Sequence, residues 1–88
     1  MLFRSIGSAR VNRLLWRARR GVRELDGLLI PFSERLSREG SEPAIVIFEQ
    51  LLEQPDPVLL DWFFDRSRPQ DPVMARLVDE ILSCRPHG

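Results

Sequence analysis

One local signal occurs three times between residues 41 and 72 of this 88-residue chain: a residue that can cap a helix, followed within two positions by proline. Serine and aspartate side chains accept hydrogen bonds from the free backbone N–H groups at a helix start. Proline fits the first turn, because the N–H group it lacks would have no partner there. Apolar residues at helical spacing follow each signal, so three short helices are predicted. The signals are Ser41 with Pro43, Asp56-Pro57 and Asp71-Pro72.

The residues before Ser41 predict two further helices, joined near Gly21. The first runs from Ser8 to Gly21, since glycine can end a helix in the left-handed conformation. The second runs from about Val22 to Glu39. Pro31 interrupts it, and a proline inside a helix removes one hydrogen bond and crowds the carbonyl group four residues back. We therefore expect either a kinked second helix or two short ones.

The five predicted helices define the fold class. Strand signals are weak: Ala44 to Phe48 has β-branched residues, but it shows no alternation and has no partner segment. The helix that starts at Asp56 is apolar nearly all round and is expected to be central. Because a chain of this length allows one domain, we predict an all-α, compact single-domain bundle of five helices over residues 1–88. Residues 1–7 and 85–88 are expected to fray.

The charges are unevenly distributed, although the formal net charge is zero. Residues 1–23 hold seven arginines and no acid, whereas the rest of the chain holds six arginines and all 13 acids, a net charge of −7. Two interpretations are open: a cationic surface for an anionic partner, or a solvated helix face paired with acids elsewhere in the chain. No apolar run approaches the ~20 residues of a membrane span.

The sequence offers little for catalysis or metal binding. Cys84 and His87 are the only cysteine and the only histidine, and they are spaced like a metal-binding pair. Two ligands on a fraying tail make a poor metal site. The five glycines are scattered and form no phosphate-binding loop. We therefore predict a protein that is not an enzyme, with no metal site and no stably bound cofactor of its own.

Trp16 is the most informative residue of the first helix. At about 100° per residue it lies off the apolar stripe of that helix. Tryptophan among arginines is typical of the residues that dominate binding energy at protein interfaces. Two readings are open: Trp16 packs against the second helix, or it anchors a protein partner. It shares its face of the helix with Asn12, Arg13, Arg19 and Arg20.

The segment from Arg20 to Glu24 follows directly. Gly21 can end a helix, and its lack of a side chain can also let the backbone of a partner approach closely. Arg20 and Glu24 flank it with opposite charges, so they can pair with each other, or each can bind a polar group of a partner. Neither side chain is needed to end a helix. Substitutions at Arg20 and Glu24 therefore test contact with a partner more directly than a substitution at Gly21.

The run Arg20-Gly21-Val22-Arg23-Glu24 resembles the Arg-Gly-x-x-Glu motif of the FAD assembly factors of succinate dehydrogenase. Leu25-Asp26 follows directly, and Pro31-Phe32 falls at the distance usual for that family. Further along, Phe48 to Leu52 precedes Asp56 to Trp62, similar to the family's second signature. The resemblance covers about residues 10–82.

The resemblance implies a five-helix assembly chaperone. Such a protein binds the flavoprotein subunit of succinate dehydrogenase, often also that of fumarate reductase, and promotes covalent attachment of FAD to a histidine of that client. FAD and the bond-forming chemistry belong to the client, which the chaperone holds in a reactive conformation. We also expect a monomer that binds no nucleic acid. Carried over by position, the partner-binding residues are Arg20, Gly21 and Glu24, with Arg13, Trp16, Arg23 and Asp26 as neighbours.

An alternative function is an antitoxin-like or nucleic-acid-binding helical module. Seven arginines in residues 1–23, together with Trp16, are compatible with phosphate contacts. The acidic remainder of the chain and the lack of an evident recognition helix speak against it.

Two features bear on the compartment. A single cysteine is typical of a reduced compartment. The Arg-rich, acid-free N-terminus imitates a mitochondrial presequence, but the basic helix runs directly into the motif. We therefore predict a cytoplasmic bacterial protein, with the mitochondrial matrix as the alternative.

Overall fold

A computed structural model describes residues 8–84, and within this range the chain forms five helices and no strand. The all-α class and the number of helices are thereby confirmed for this part of the chain. None of these helices is both long and apolar enough to cross a membrane. The fraying predicted for residues 1–7 and 85–88 lies outside the described residues. The helices are α1 (Ser8–Ala18), α2 (Arg23–Glu39), α3 (Glu42–Leu52), α4 (Asp56–Phe63) and α5 (Pro72–Ser83).

The three predicted helix starts are present, but only two of the predicted caps form. The Ser41 hydroxyl accepts a hydrogen bond from the backbone N–H of Ala44 at 3.4 Å. The Asp71 carboxylate accepts one at 2.9 Å from the backbone N–H two residues later. At the start of α4, Pro55 occupies the cap position and no side chain caps the helix. The prediction that Asp56 caps α4 is therefore wrong, and its carboxylate binds elsewhere.

The second helix is continuous from Arg23 to Glu39, although Pro31 lies inside it. The alternative of two short helices is therefore wrong. Ser33 is fully buried beside the proline, and its hydroxyl donates a hydrogen bond at 2.8 Å to the carbonyl of Ile30. This buried polar group is thus satisfied within the helix itself.

The central element of the core is α2, which packs against α1, α4 and α5. The expectation that α4 is central is wrong, because this helix of eight residues buries Leu59 and Phe63 but leaves Phe64 half exposed at its end. All five helices contribute buried apolar side chains, which form one continuous cluster: Leu14, Ala18, Leu25, Leu29, Phe32, Leu36, Ile45, Phe48, Leu51, Leu52, Leu59, Phe63, Met74, Leu77, Val78 and Ile81.

Arg10 links α1 to α3 through two glutamates. Its Nε and Nη2 donate to the two carboxylate oxygens of Glu49 at 3.1 and 2.9 Å, and its Nη1 donates to Glu42. The hydrogen bond from Arg10 holds the pKa of the Glu49 carboxyl below its ordinary value. At this arginine, therefore, the uneven charge of the sequence is resolved by internal pairing.

Replacing Glu49 with glutamine is expected to lower the melting temperature at neutral pH and to change it little in acid. Because the folded-state pKa of Glu49 is depressed, the carboxylate stabilises the fold above the ordinary pKa of 4.5. That contribution is lost as the pH falls through the lower folded-state value. Circular dichroism melts of both proteins between about pH 7 and about pH 3 measure the difference. A difference that stays constant across this range would contradict the pairing.

Candidate functional site

Residues 19–22 join α1 to α2, which pack against each other, and we call this segment the motif turn. α1 ends at Ala18 and not at Gly21, which instead supplies the turn with a φ of +79°. This left-handed conformation favours glycine over other residues. The backbone N–H of Arg20 donates to the Asp26 carboxylate at 2.7 Å, across the turn into the first helical turn of α2. Asp26, a predicted partner contact, thus has a role in holding the motif turn.

Alanine substitutions at Gly21 and Gly27 are expected to change the free energy of unfolding in opposite directions. A β-carbon added at either position meets no atom within 4 Å, so steric room does not distinguish them. Gly21→Ala should lower stability by about 1 kcal/mol because of the positive φ. Gly27→Ala should raise it by about 1 kcal/mol, because Gly27 lies inside α2. Urea denaturation measures both, and changes of the same sign would show that backbone conformation does not set the requirement at Gly21.

The Arg20 side chain points into the fold. Its Nε donates to the Asp56 carboxylate at 2.7 Å and forms an ion pair with it. Its Nη1 and Nη2 donate to the backbone carbonyls of Leu52 and Gln54 at 2.7 and 2.6 Å. Only 16% of the side chain is exposed. Arg20 therefore ties the motif turn to the segment that joins α3 to α4.

This arrangement differs from the expectation for Arg20 and Glu24. The two do not pair with each other, because Arg20 is held by Asp56. Glu24 is exposed in the first turn of α2 and forms no ion pair within residues 8–84. Sequence reasoning missed Asp56, because an aspartate before a proline at a helix start has the pattern of a cap. The two partners are 36 residues apart, and no local pattern connects them.

Trp16 extends from α1 into solvent, with 75% of its surface exposed. The alternative in which Trp16 packs against the second helix is therefore wrong. Asn12 and Arg13 are also exposed, and the spacing of three and four residues brings them to the same side of α1. We call Asn12, Arg13 and Trp16 the Trp16 face. It lies at the end of α1 that leads into the motif turn.

Six of the seven arginines of residues 1–23 lie among the described residues: two pair with acids, three are exposed, and Arg17 is half buried without an ion pair there. Arg10 and Arg20 pair with acids of α3 and α4. Arg13, Arg19 and Arg23 are exposed and form no ion pair within the described range. Internal pairing thus accounts for some of these arginines, and an exposed cationic surface accounts for others. The exposed group surrounds Trp16 and the motif turn, which makes this side of the molecule cationic.

Metal-binding groups are sparse in the part of the chain that the structure describes. No cluster of three or more histidine, cysteine, aspartate or glutamate side chains there is arranged to hold a metal ion. Cys84 is half buried at the end of α5, and the guanidinium group of Arg35 contacts its sulfur. His87, the other member of the predicted metal-like pair, lies outside the described residues.

Comparison with known proteins connects this site to a family. The family model Sdh5, described as the flavinator of succinate dehydrogenase, matches residues 12–85. This chain belongs to that family. The match contains the whole Trp16 face, the motif turn and four of the five helices in full. It confirms the resemblance carried by the Arg-Gly-x-x-Glu segment.

Individual relatives of the Sdh5 family extend the likeness over most of the chain. The FAD assembly factor SdhE of Pseudomonas putida is 38% identical over 72 residues, which cover 82% of this chain and 86% of the relative. Those of Psychrobacter arcticus and Coxiella burnetii are also 38% identical, over 74 and 70 residues. These two alignments cover 84% and 80% of this chain, and 80% and 85% of the relatives. The likeness therefore extends well beyond the motif.

Proposed function

We propose that this chain binds the flavoprotein subunit of succinate dehydrogenase and promotes covalent attachment of FAD to it. Its family is described as the flavinator of that enzyme, and relatives that align over most of their length are named FAD assembly factors. By the same resemblance, the flavoprotein subunit of fumarate reductase is proposed as a second client.

The observation that carries a partner-binding role is the exposed indole of Trp16 on the cationic side of the molecule. We assign the client contact to the Trp16 face together with Gly21, Arg23 and Glu24. The indole supplies a large apolar contact area, and arginine supplies several donors in a planar arrangement. The complementary patch on the client is an apolar recess bordered by carboxylates or backbone carbonyls.

The bond between FAD and the client histidine is assigned to the client's own chemistry, so this chain acts as an assembly chaperone and not as an enzyme. It binds no FAD stably and acts as a monomer. Its contribution is to hold the client in a conformation in which flavin and histidine are adjacent. Holding two reacting groups in place can by itself supply a large part of a rate enhancement.

We further propose that the partner is not a nucleic acid and that the chain works in the bacterial cytoplasm. Internal pairs occupy Arg10 and Arg20, and the exposed carboxylate of Glu24 beside the motif turn would repel phosphate. The relatives compared above are bacterial. Salt-dependent binding of DNA or RNA at micromolar protein would instead support the nucleic-acid-binding alternative.

Deletion of the gene in its native host tests the proposed function. Flavin fluorescence of the denatured flavoprotein subunit on a gel reports covalent FAD, and we expect this signal to fall strongly. A plasmid copy of the wild type should restore it, and Glu24→Ala should not. The matched control is Glu34→Ala, an exposed acid further along α2, which should restore it fully. Covalent flavin that is unchanged by the deletion would overturn the proposal.

A further inference from the structure

We infer that Arg20, the first residue of the motif, does not contact the client but positions the client-binding surface from inside the fold, with Asp56 as its counter-charge. The predicted effect on client binding rests on the proposed function. The contacts that support it lie within this chain.

Arg20 is held at both its backbone and its side chain. Its backbone N–H is bound by Asp26 of α2 at 2.7 Å, and its guanidinium group is bound by the segment that joins α3 to α4. The motif turn is therefore fixed to two elements that are far apart in sequence. α1 precedes this turn and α2 follows it, so the conformation of the turn sets the position of Trp16 relative to Glu24.

The acceptors explain why an arginine stands at this position. The carbonyl of Leu52 ends α3, and Gln54 lies just beyond that end, where carbonyl groups have no partner within the helix. The Asp56 carboxylate begins α4. A planar guanidinium group reaches all three acceptors at once, whereas a lysine ammonium group would be a single point charge. Each guanidinium nitrogen of Arg20 is thus already engaged, and little of the side chain is left for a client.

Loss of Asp56 should therefore weaken client binding, although Asp56 lies outside the surface assigned to the client. Without its counter-charge, Arg20 loses the one ion pair it forms within residues 8–84 and keeps only its two carbonyl contacts, so the motif turn is held less firmly in its conformation. Trp16 and Glu24 keep their own atoms and exposure, but their relative placement becomes variable. Client affinity falls because that placement must be fixed at binding.

The experiment compares Asp56→Ala with Asp71→Ala in the full chain. Both aspartates lie at a helix start, but Asp71 caps α5 and has no contact with Arg20. With the purified flavoprotein subunit of succinate dehydrogenase, we expect Asp56→Ala to bind about tenfold more weakly than the wild type. Asp71→Ala should stay within about twofold of wild-type affinity, although its lost cap lowers stability. Affinities are measured at a temperature where melting curves show every variant folded.

A double-mutant cycle with Arg20→Gln decides between positioning and contact. If Arg20 acts through Asp56, the double variant binds no more weakly than Arg20→Gln alone. If Asp56→Ala binds like the wild type while Arg20→Gln does not, Arg20 touches the client and the inference is overturned. Equal losses in Asp56→Ala and Asp71→Ala would also overturn it, because global stability would then explain both.

A measurement on the free protein separates this inference from the proposed function. The Gly21 amide and the Trp16 indole N–H resonances should shift in Asp56→Ala and stay in place in Asp71→Ala. If the wild type fails to bind the client, the proposed function fails, and these shifts still report whether Asp56 holds the motif turn. Unshifted resonances in Asp56→Ala would overturn the inference even if the client binds.

Discussion

Replacing Trp16 with alanine is expected to weaken binding of the client flavoprotein by about 2 kcal/mol or more, or about thirtyfold, the loss typical of a dominant interface residue. The side chain is 75% exposed, so the fold loses almost no packing with it. Alanine is also the better helix former at this position in α1, so stability should stay the same or rise by a few tenths of a kcal/mol. Isothermal titration with the purified client subunit measures the first effect, and urea denaturation measures the second.

Phe64→Ala provides the matched control. Phe64 is also an exposed aromatic residue, but it lies at the far end of α4 from Asp56, where Arg66 stacks over its ring. The substitution should leave client affinity within about twofold of the wild type, as expected for a surface change outside an interface. If Phe64→Ala and Trp16→Ala weaken binding equally, the loss of affinity comes from removing exposed apolar surface in general and not from a specific contact of Trp16. If neither does, the client contact lies away from the Trp16 face.

The helices could be predicted because their signals are local. The side chains of Ser41 and Asp71 accept hydrogen bonds from backbone N–H groups no more than three residues further along the chain. Such a contact depends only on a few neighbouring residues of the sequence. The apolar stripe of α1 follows from the same local periodicity, and two of its residues, Leu14 and Ala18, are buried. Gly21 was assigned to the junction of the first two helices, and its positive φ agrees with that assignment.

The site could be predicted only in part, because it depends on contacts between distant segments. Arg20 and Asp56 are 36 residues apart, and each has a sufficient local explanation, one as a motif residue and one as a cap. Whether Trp16 packs or projects depends on where α2 crosses α1, which periodicity does not specify. Likewise, the apolar composition of α4 did not show that Phe64 would remain half exposed at its end.

Arg20→Gln is expected to lower the free energy of unfolding by about 2 kcal/mol, whereas Glu24→Gln should change it by less than about 0.5 kcal/mol. The first change removes an ion pair and strands two carbonyl acceptors in a site where only 16% of the arginine side chain is exposed. The second alters an exposed carboxylate with no ion pair in the described chain. For a domain of this size, the melting temperature of Arg20→Gln should fall by roughly 10 °C.

Arg13→Gln is the charge-matched control for Arg20→Gln, since Arg13 is exposed and has no ion pair within residues 8–84. Its stability should remain at the wild-type value, so a loss common to both variants would mean that net charge, and not the Asp56 contact, sets stability. The motif then separates by measurement into two parts. The contribution of Arg20 is measured as a change in the free energy of unfolding, because its partners lie inside the chain. The contribution of Glu24 is measured as a change in client affinity while stability stays unchanged, because the partner proposed for it is the client.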